Sequence, residues 1–176
     1  MLKKLSFLIC FCFILFSNIT YSAENLIISY VDIDKIISQS EVGKKINKSL
    51  EQTLKKKNKE FQKIEEELKK KENDIVKQKN ILSPDELNKK IENLQNNIKD
   101  YRIKKDKFQK NITQKKLKAT SELVGYLNKI LAKYASENSI SLIIQKKNIV
   151  IGKSEMDITN QIMKVFNKEV KDVKIN

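Results

Sequence analysis

The chain of 176 residues has no histidine and no tryptophan, one proline, three glycines, two cysteines and a single arginine. Each shortage removes a class of chemistry. Without histidine there is no imidazole to move protons near neutral pH or to ligate a metal. Gly43, Gly125 and Gly152 stand far apart and build no phosphate-cradling loop. No run clusters cysteine and carboxylate in metal-ligand spacing, and consecutive acids such as Glu65, Glu66 and Glu67 read as a solvated helix face. Neither catalysis nor a cofactor nor a metal is expected.

Long hydrophobic runs are also scarce, and the one present lies at the start. Lys3 and Lys4 precede an apolar stretch from Leu5 to Phe16, and small and polar residues then lead to Ser22-Ala23. This is the layout of a secretory signal peptide, residues 1–23, with cleavage after Ser22 or Ala23. Cys10 and Cys12 lie inside it. The exported chain then has no thiol and no disulfide, so packing or oligomerisation must hold it together. Export from the cytoplasm is therefore expected.

Removing Lys3 and Lys4 leaves 34 basic against 22 acidic side chains, a net charge of +12. Almost all of it is lysine, with Arg102 the lone guanidinium. Arginine is the usual choice for bidentate phosphate and base recognition. The excess therefore reads as a solvated cationic surface, and no nucleic-acid partner is expected.

What the chain has in quantity is helical periodicity. Leu26 to Val31 reads as a strand, followed by a short helix started by Asp32 or Asp34. A charged helical region runs from about residue 40 to 136. Two short strands are expected at Ser141–Ile144 and Asn148–Ile151, joined by a Gln-Lys-Lys turn. A last helix capped by Asp157 sets Ile158, Ile162, Val165 and Phe166 on one face. Strand-forming pieces at both ends must meet to form a sheet. The expected fold is α+β and mostly α: a small β-structured head (24–45 and 137–176) bearing a helical arm (46–136). Ile28, Val31, Ile144, Ile151, Ile158, Ile162 and Phe166 are the candidates for the head core and for assembly contacts.

Within the arm, Leu54, Phe61, Leu68, Ile75 and Leu82 recur every seven residues before the proline. Leu87, Leu94, Tyr101 and Phe108 do so after it, beside Ile91, Ile98, Lys105, Ile112 and Ala119. Such heptads argue a coiled coil. Beyond Ala119 the rhythm shifts to Leu123, Leu127, Ile130 and Tyr134, rotating the seam where the arm meets the head. Ser83 suits an N-cap, Pro84 the first helical position, and Glu86 the closure of a capping box. The segment 82–86 is therefore the tip of an antiparallel hairpin. Reflection about Pro84–Asp85 pairs Leu82 with Leu87, Ile75 with Leu94, Leu68 with Tyr101 and Phe61 with Phe108. The alternate rungs oppose Lys71, Lys105 and Lys57 to isoleucines, and those lysines are expected to reach out to water.

Two passages carry a resemblance. In "YVDIDKIISQSEVGKK" a strand with Tyr30-Val31-Asp32 is followed by Ser40-x-x-Gly43-Lys44. In "YASENSISLIIQKKNIVIGKSEMDITNQIMKVFN" two hydrophobic strands precede Asp157-Ile158-Thr159, which opens a helix reaching Phe166-Asn167. With the leader and the hairpin, this order resembles the Skp/OmpH family of periplasmic chaperones over nearly the whole chain. The resemblance implies a jellyfish-like homotrimer whose arms enclose a cavity. It further implies ATP-independent holding of unfolded outer-membrane β-barrel proteins, and contact with anionic lipid or lipopolysaccharide, for which Lys115 and Lys116 are candidates. Exposed arm lysines, Lys89, Lys90, Lys104 and Lys107, are candidates for client contact. A structural or adaptor coiled coil of the cell envelope is the alternative, and strands at both ends converging on one body speak against a mere spacer.

Overall fold

The computed structural model describes residues 26–173. The expected signal peptide, with Cys10 and Cys12, lies outside these residues. Strand β1 (Ile27–Val31) leads into helix α1 (Ile33–Gln39), then α2 (Glu41–Gln78) and α3 (Pro84–Glu137), strand β2 (Ile140–Gln145) and helix α4 (Thr159–Glu169). The two long helices form the expected hairpin. At about 1.5 Å per residue, the 38 residues of α2 span roughly 57 Å.

β1 and β2 pair in parallel, with Ile27 beside Ile140 and Tyr30 beside Ile144, and one irregularity after Ile27. Parallel pairing needs a long crossover, and the entire hairpin serves as that crossover. The other edge of β1 is also used. The Ile158 N–H donates to Tyr30 O at 3.0 Å, and the Asp32 N–H donates to Thr159 Oγ1 at 2.9 Å. β1 is thus the central element of the head, held on both edges by the far end of the chain.

Caps explain the first corner. The Asp32 carboxylate accepts the Lys35 N–H at 2.8 Å and starts α1. Ser40, fully buried, ends α1 and caps α2, its Oγ accepting the Gly43 N–H at 3.1 Å. The two helices meet so closely that a Cβ on Gly43 would lie 2.0 Å from the Ile37 carbonyl oxygen. The Ser-x-x-Gly spacing thus couples a buried cap to the one residue small enough for the approach.

Ile36, Leu123, Leu127, Ile162 and Phe166 are the centre of the core, with Val31 and Val42 beside them. Ala119, Leu123, Leu127 and Ile130 are the buried residues of α3, as the shifted rhythm predicts. Val170 and Val173, beyond α4, are buried in the same cluster.

Two expectations fail in the head. No strand forms at Asn148–Ile151: residues Lys146–Asn148 make a 3-10 turn, and the chain continues irregularly. A strand requires an edge to bond to; both edges of β1 are taken, and the 3-10 turn leads the chain past the Tyr30 side chain instead of back along the free edge of β2. Ile151, expected in the core, is consequently 91% exposed, and Val150 is 97% exposed. Asp157 lies one residue outside the cap position of α4, which falls to Ile158. Its carboxylate still accepts the Thr159 N–H at 2.9 Å and the Thr159 hydroxyl.

Candidate functional site

The arm is the part of the molecule not explained by making a head. Its root is packed: Ile46 and Leu50 of α2 are buried in the same cluster as Ala119 and Leu123. Farther out, Phe61 is the last buried residue before the tip among the described ones. Its ring meets Phe108 edge-on at 5.8 Å between centroids, the expected rung, and Tyr101 at 5.8 Å as well. Such edge contacts are worth roughly 0.5–1.5 kcal/mol each beyond burial.

Beside this aromatic knot the helices are cross-linked by polar groups. The Tyr101 hydroxyl donates to Glu65, and Lys105 Nζ donates to Glu65 Oε1 and to the Tyr101 oxygen, both at 2.9 Å. These donors hold the Glu65 carboxyl below its usual range, and the same partners push the Lys105 ammonium up. Lys105, a seam lysine expected to run out to water, instead ends on the opposite helix. Lys57 pairs with Glu60 along its own helix, and its ammonium sits 5.7 Å from the Phe61 ring centre.

Toward the tip the seam loosens. Leu68, Ile75, Leu82, Leu87 and Leu94 are only half-buried. A cleft of about 420 Å³ opens between the helices, lined by Lys71, Ile75, Gln78, Lys90 and Leu94 among others. Lys90 Nζ donates to Gln78 Oε1 at 2.6 Å across it. The turn itself is well made. The Ile81 and Leu82 N–H groups both donate to Gln78 O, at 3.0 and 3.1 Å. Ser83 Oγ accepts the Glu86 N–H at 3.4 Å, and Glu86 Oε2 accepts from the Ser83 N–H at 3.1 Å and its hydroxyl at 2.7 Å. Those bonds hold the Glu86 carboxyl down. The capping box with Pro84 at the first helical position is present as expected.

Lys89, Lys90, Lys104 and Lys107 are exposed, as is Lys116, whereas Lys115 is half-buried. Lys89 and Lys90 both line the cleft near the tip, and the other four are spread farther along the same helix. In the head, Val31, Ile158, Ile162 and Phe166 are buried, and Ile28 and Ile144 are half-buried. Beside β2 and the last turns of α3 lies a groove of about 400 Å³, lined by Ile33, Leu131, Ala132, Ile140 and Leu142 among others. The free edge of β2 and this groove escaped the sequence reading, because an unpartnered edge has no signature in residue type. Asp157 is pushed up by its partial burial, but Lys146, at 2.7 Å, and Thr159 more than offset this and leave its pKa lowered.

Among the described residues no three His, Cys, Asp or Glu side chains are grouped to hold a metal. No described helix is long and apolar enough to cross a membrane. The geometry defines a protein with a small α+β head and one long, cationic helical hairpin. The profile of the family "Outer membrane protein (OmpH-like)" matches residues 27–166. The chain belongs to the OmpH-like family. A crystal structure from Caulobacter crescentus, described as that of a candidate outer membrane chaperone (OmpH-like), superposes with a TM-score of 0.77 at 18% identity. The match covers 85% of this chain and 88% of that one. Among curated proteins none matches.

Proposed function

We propose that this protein is an ATP-independent holdase of the periplasm, exported by a cleaved leader, that keeps unfolded outer-membrane β-barrel proteins from aggregating. The observation that carries this reading is the arm: a long hairpin, cationic along its length and with a seam only half-buried beyond Phe61, projecting from a head packed around its root. Membership of the OmpH-like family supports it. Many weak contacts from a yielding arm suit a client that must be held and then released. Several arms around one client convert those contacts into intramolecular ones.

Several arms require assembly, and the reading is a homotrimer. The head supplies both halves of a heterologous contact, the kind that closes into a ring. One half is the free edge of β2 with its apolar groove; the other is the exposed β-branched segment around Val150 and Ile151. In the ring, residues 148–151 of one copy add to the free edge of β2 in the next, and Ile28, Ile144 and Ile151 lie at or near the contact. Lys89, Lys90, Lys104 and Lys107 contact the client, and Lys115 and Lys116 face anionic lipid or lipopolysaccharide.

The test is to dilute an unfolded porin from denaturant into buffer with the purified mature chain and measure aggregation and stoichiometry by light scattering. One client per three chains, soluble without nucleotide, is expected. Aggregation at the rate of the chaperone-free control refutes the holdase reading and leaves the envelope spacer. A monodisperse folded monomer refutes the trimer. Ile151→Asp and Ile144→Asp are expected to dissociate it while helix content persists.

A further inference from the structure

The seam uses two heptad rows of α3, but a third apolar row runs along the same helix. Ile103, Lys110, Leu117, Val124 and Leu131 recur every seven residues. They stand two positions past the Tyr101 and Phe108 row, about 200° around the helix, and so face away from α2. At the upper end Leu131 packs against the head core and lines the groove beside β2. Val124 is half-buried. Below them Leu117 is 65% exposed and Ile103 41% exposed. Ile103 shares a shallow concavity with Ile98, Lys99, Arg102 and Asp106. Neither the seam nor the head accounts for the exposed pair.

We propose that this row of α3 is the face that grips the unfolded client, a reading that rests on the holdase function above. Charge selects the occupant. Residues 99–118 contain nine basic side chains against two acidic, Asp100 and Asp106. A second arm of the same sequence laid on this face would bring cation against cation, with Lys110 in the middle of the row. An unfolded polypeptide whose apolar segments alternate with carboxylates meets both features. Its apolar side chains cover Leu117 and Ile103, about 21 Å apart at 1.5 Å per residue, and its carboxylates meet the flanking lysines.

The test compares two double variants of the full mature chain. Ile103→Ser with Leu117→Ser removes the row. Val76→Ser with Ile81→Ser removes two aliphatics of comparable exposure, 60% and 84%, elsewhere on the arm. Affinity for a fluorescently labelled unfolded porin is measured by titration, with circular dichroism and light scattering to check fold and assembly. The row variant is expected to bind roughly tenfold or more weakly, the effect of losing about one well-buried aliphatic contact, and the control less than about twofold. Equal losses in both, or none in the row variant, overturn the proposal. A wild-type chain that binds no porin overturns the holdase reading and this face with it. Lys110→Leu, which completes the row, keeps the question answerable if serine at the row unfolds the arm. Tighter client binding at unchanged oligomer size supports the proposal. Growth in oligomer size without client assigns the row to arm–arm contact instead and refutes it.

Discussion

The same substitution, glycine to alanine, is expected to act with opposite sign at two positions of the hairpin. Alanine is favoured over glycine inside a helix by up to about 1 kcal/mol, so the question is what the added methyl meets. Gly125 is exposed in the middle of α3, and a Cβ there meets nothing within 4 Å. Gly125→Ala should stabilise by about 0.5–1 kcal/mol. At Gly43 the Cβ would fall 2.0 Å from the Ile37 carbonyl oxygen and 3.0 Å from Ser40 Oγ, the oxygen that caps α2. Neither neighbour can give way alone, because one is backbone and the other is fully buried. The α1–α2 corner must open, at about 1–3 kcal/mol for the overpacking and about 1 kcal/mol for the weakened cap. Set against the propensity gain, Gly43→Ala should destabilise by roughly 1–3 kcal/mol. Urea unfolding followed by circular dichroism reads both, at one fixed chain concentration because the proposed assembly would contribute to stability. If Gly43→Ala unfolds at the wild-type midpoint, the close approach at the corner is wrong. If Gly125→Ala destabilises, that face of α3 is covered after all.

Phe61→Ala removes the last buried residue of the arm and both ring contacts, so it should cost about 3–5 kcal/mol locally; hydrogen exchange should rise sharply in the arm beyond it while the head amides stay protected. Ser83→Ala should cost about 0.5–2 kcal/mol of helix stability at the start of α3, seen as faster exchange of the Asp85 to Leu87 amides. Asp157 is depressed when folded, so its contribution is fully present above its unfolded pKa of about 3.9 and is lost as pH falls through the lower folded value. Asp157→Asn should therefore flatten the acid limb of a head-unfolding profile below about pH 4 and leave the profile near neutrality unchanged in shape.

The elements legible in the sequence were those whose cause is local or strictly periodic. Ser83, Pro84 and Glu86 carry their own hydrogen bonds, and the turn is where they place it. Phe61 meets Phe108 because reflection about the proline preserves the heptad phase. Residues Ile158, Ile162 and Phe166 share a face at helical spacing, and all three are buried. What stayed hidden depends on a partner elsewhere. "NIVI" has the composition of a strand, yet strand formation is decided by an available edge, and composition says nothing of edges. Lys105 looked like a cation in an apolar rung. Its partner Glu65 lies on the other helix, next to the reflected position at Ile64, where a strict rung diagram does not look. The Ile103–Leu117 row was legible in principle at the same period as the seam, but with Lys110 inside it the row is too broken to stand out before exposure is known.

Packing along the arm falls in steps, and the steps follow from where apolar residues can find a second and third neighbour. At the root, residues of α2 and α3 meet the head as well as each other, and Ile46, Leu50, Ala119 and Leu123 are buried. Past the root only two helices remain. Two helices alone bury one narrow stripe each, so burial there needs side chains large enough to close the seam themselves. Phe61, Tyr101 and Phe108 do this once, with the Glu65–Lys105 bridge beside them. Beyond the knot the leucine and isoleucine rungs alternate with rungs holding Lys71 and Gln78, which break the apolar stripe, and Leu68, Ile75, Leu82, Leu87 and Leu94 remain half-buried up to a turn that is itself firmly hydrogen-bonded. The distal arm is thus clamped at both ends and loose between them. Local opening in such a segment costs little free energy, so it can bend toward clients of different girth without unfolding the head or fraying the tip. Under the proposed holdase function, that difference in cost between arm and head would let arms around one client deform while the heads stay packed.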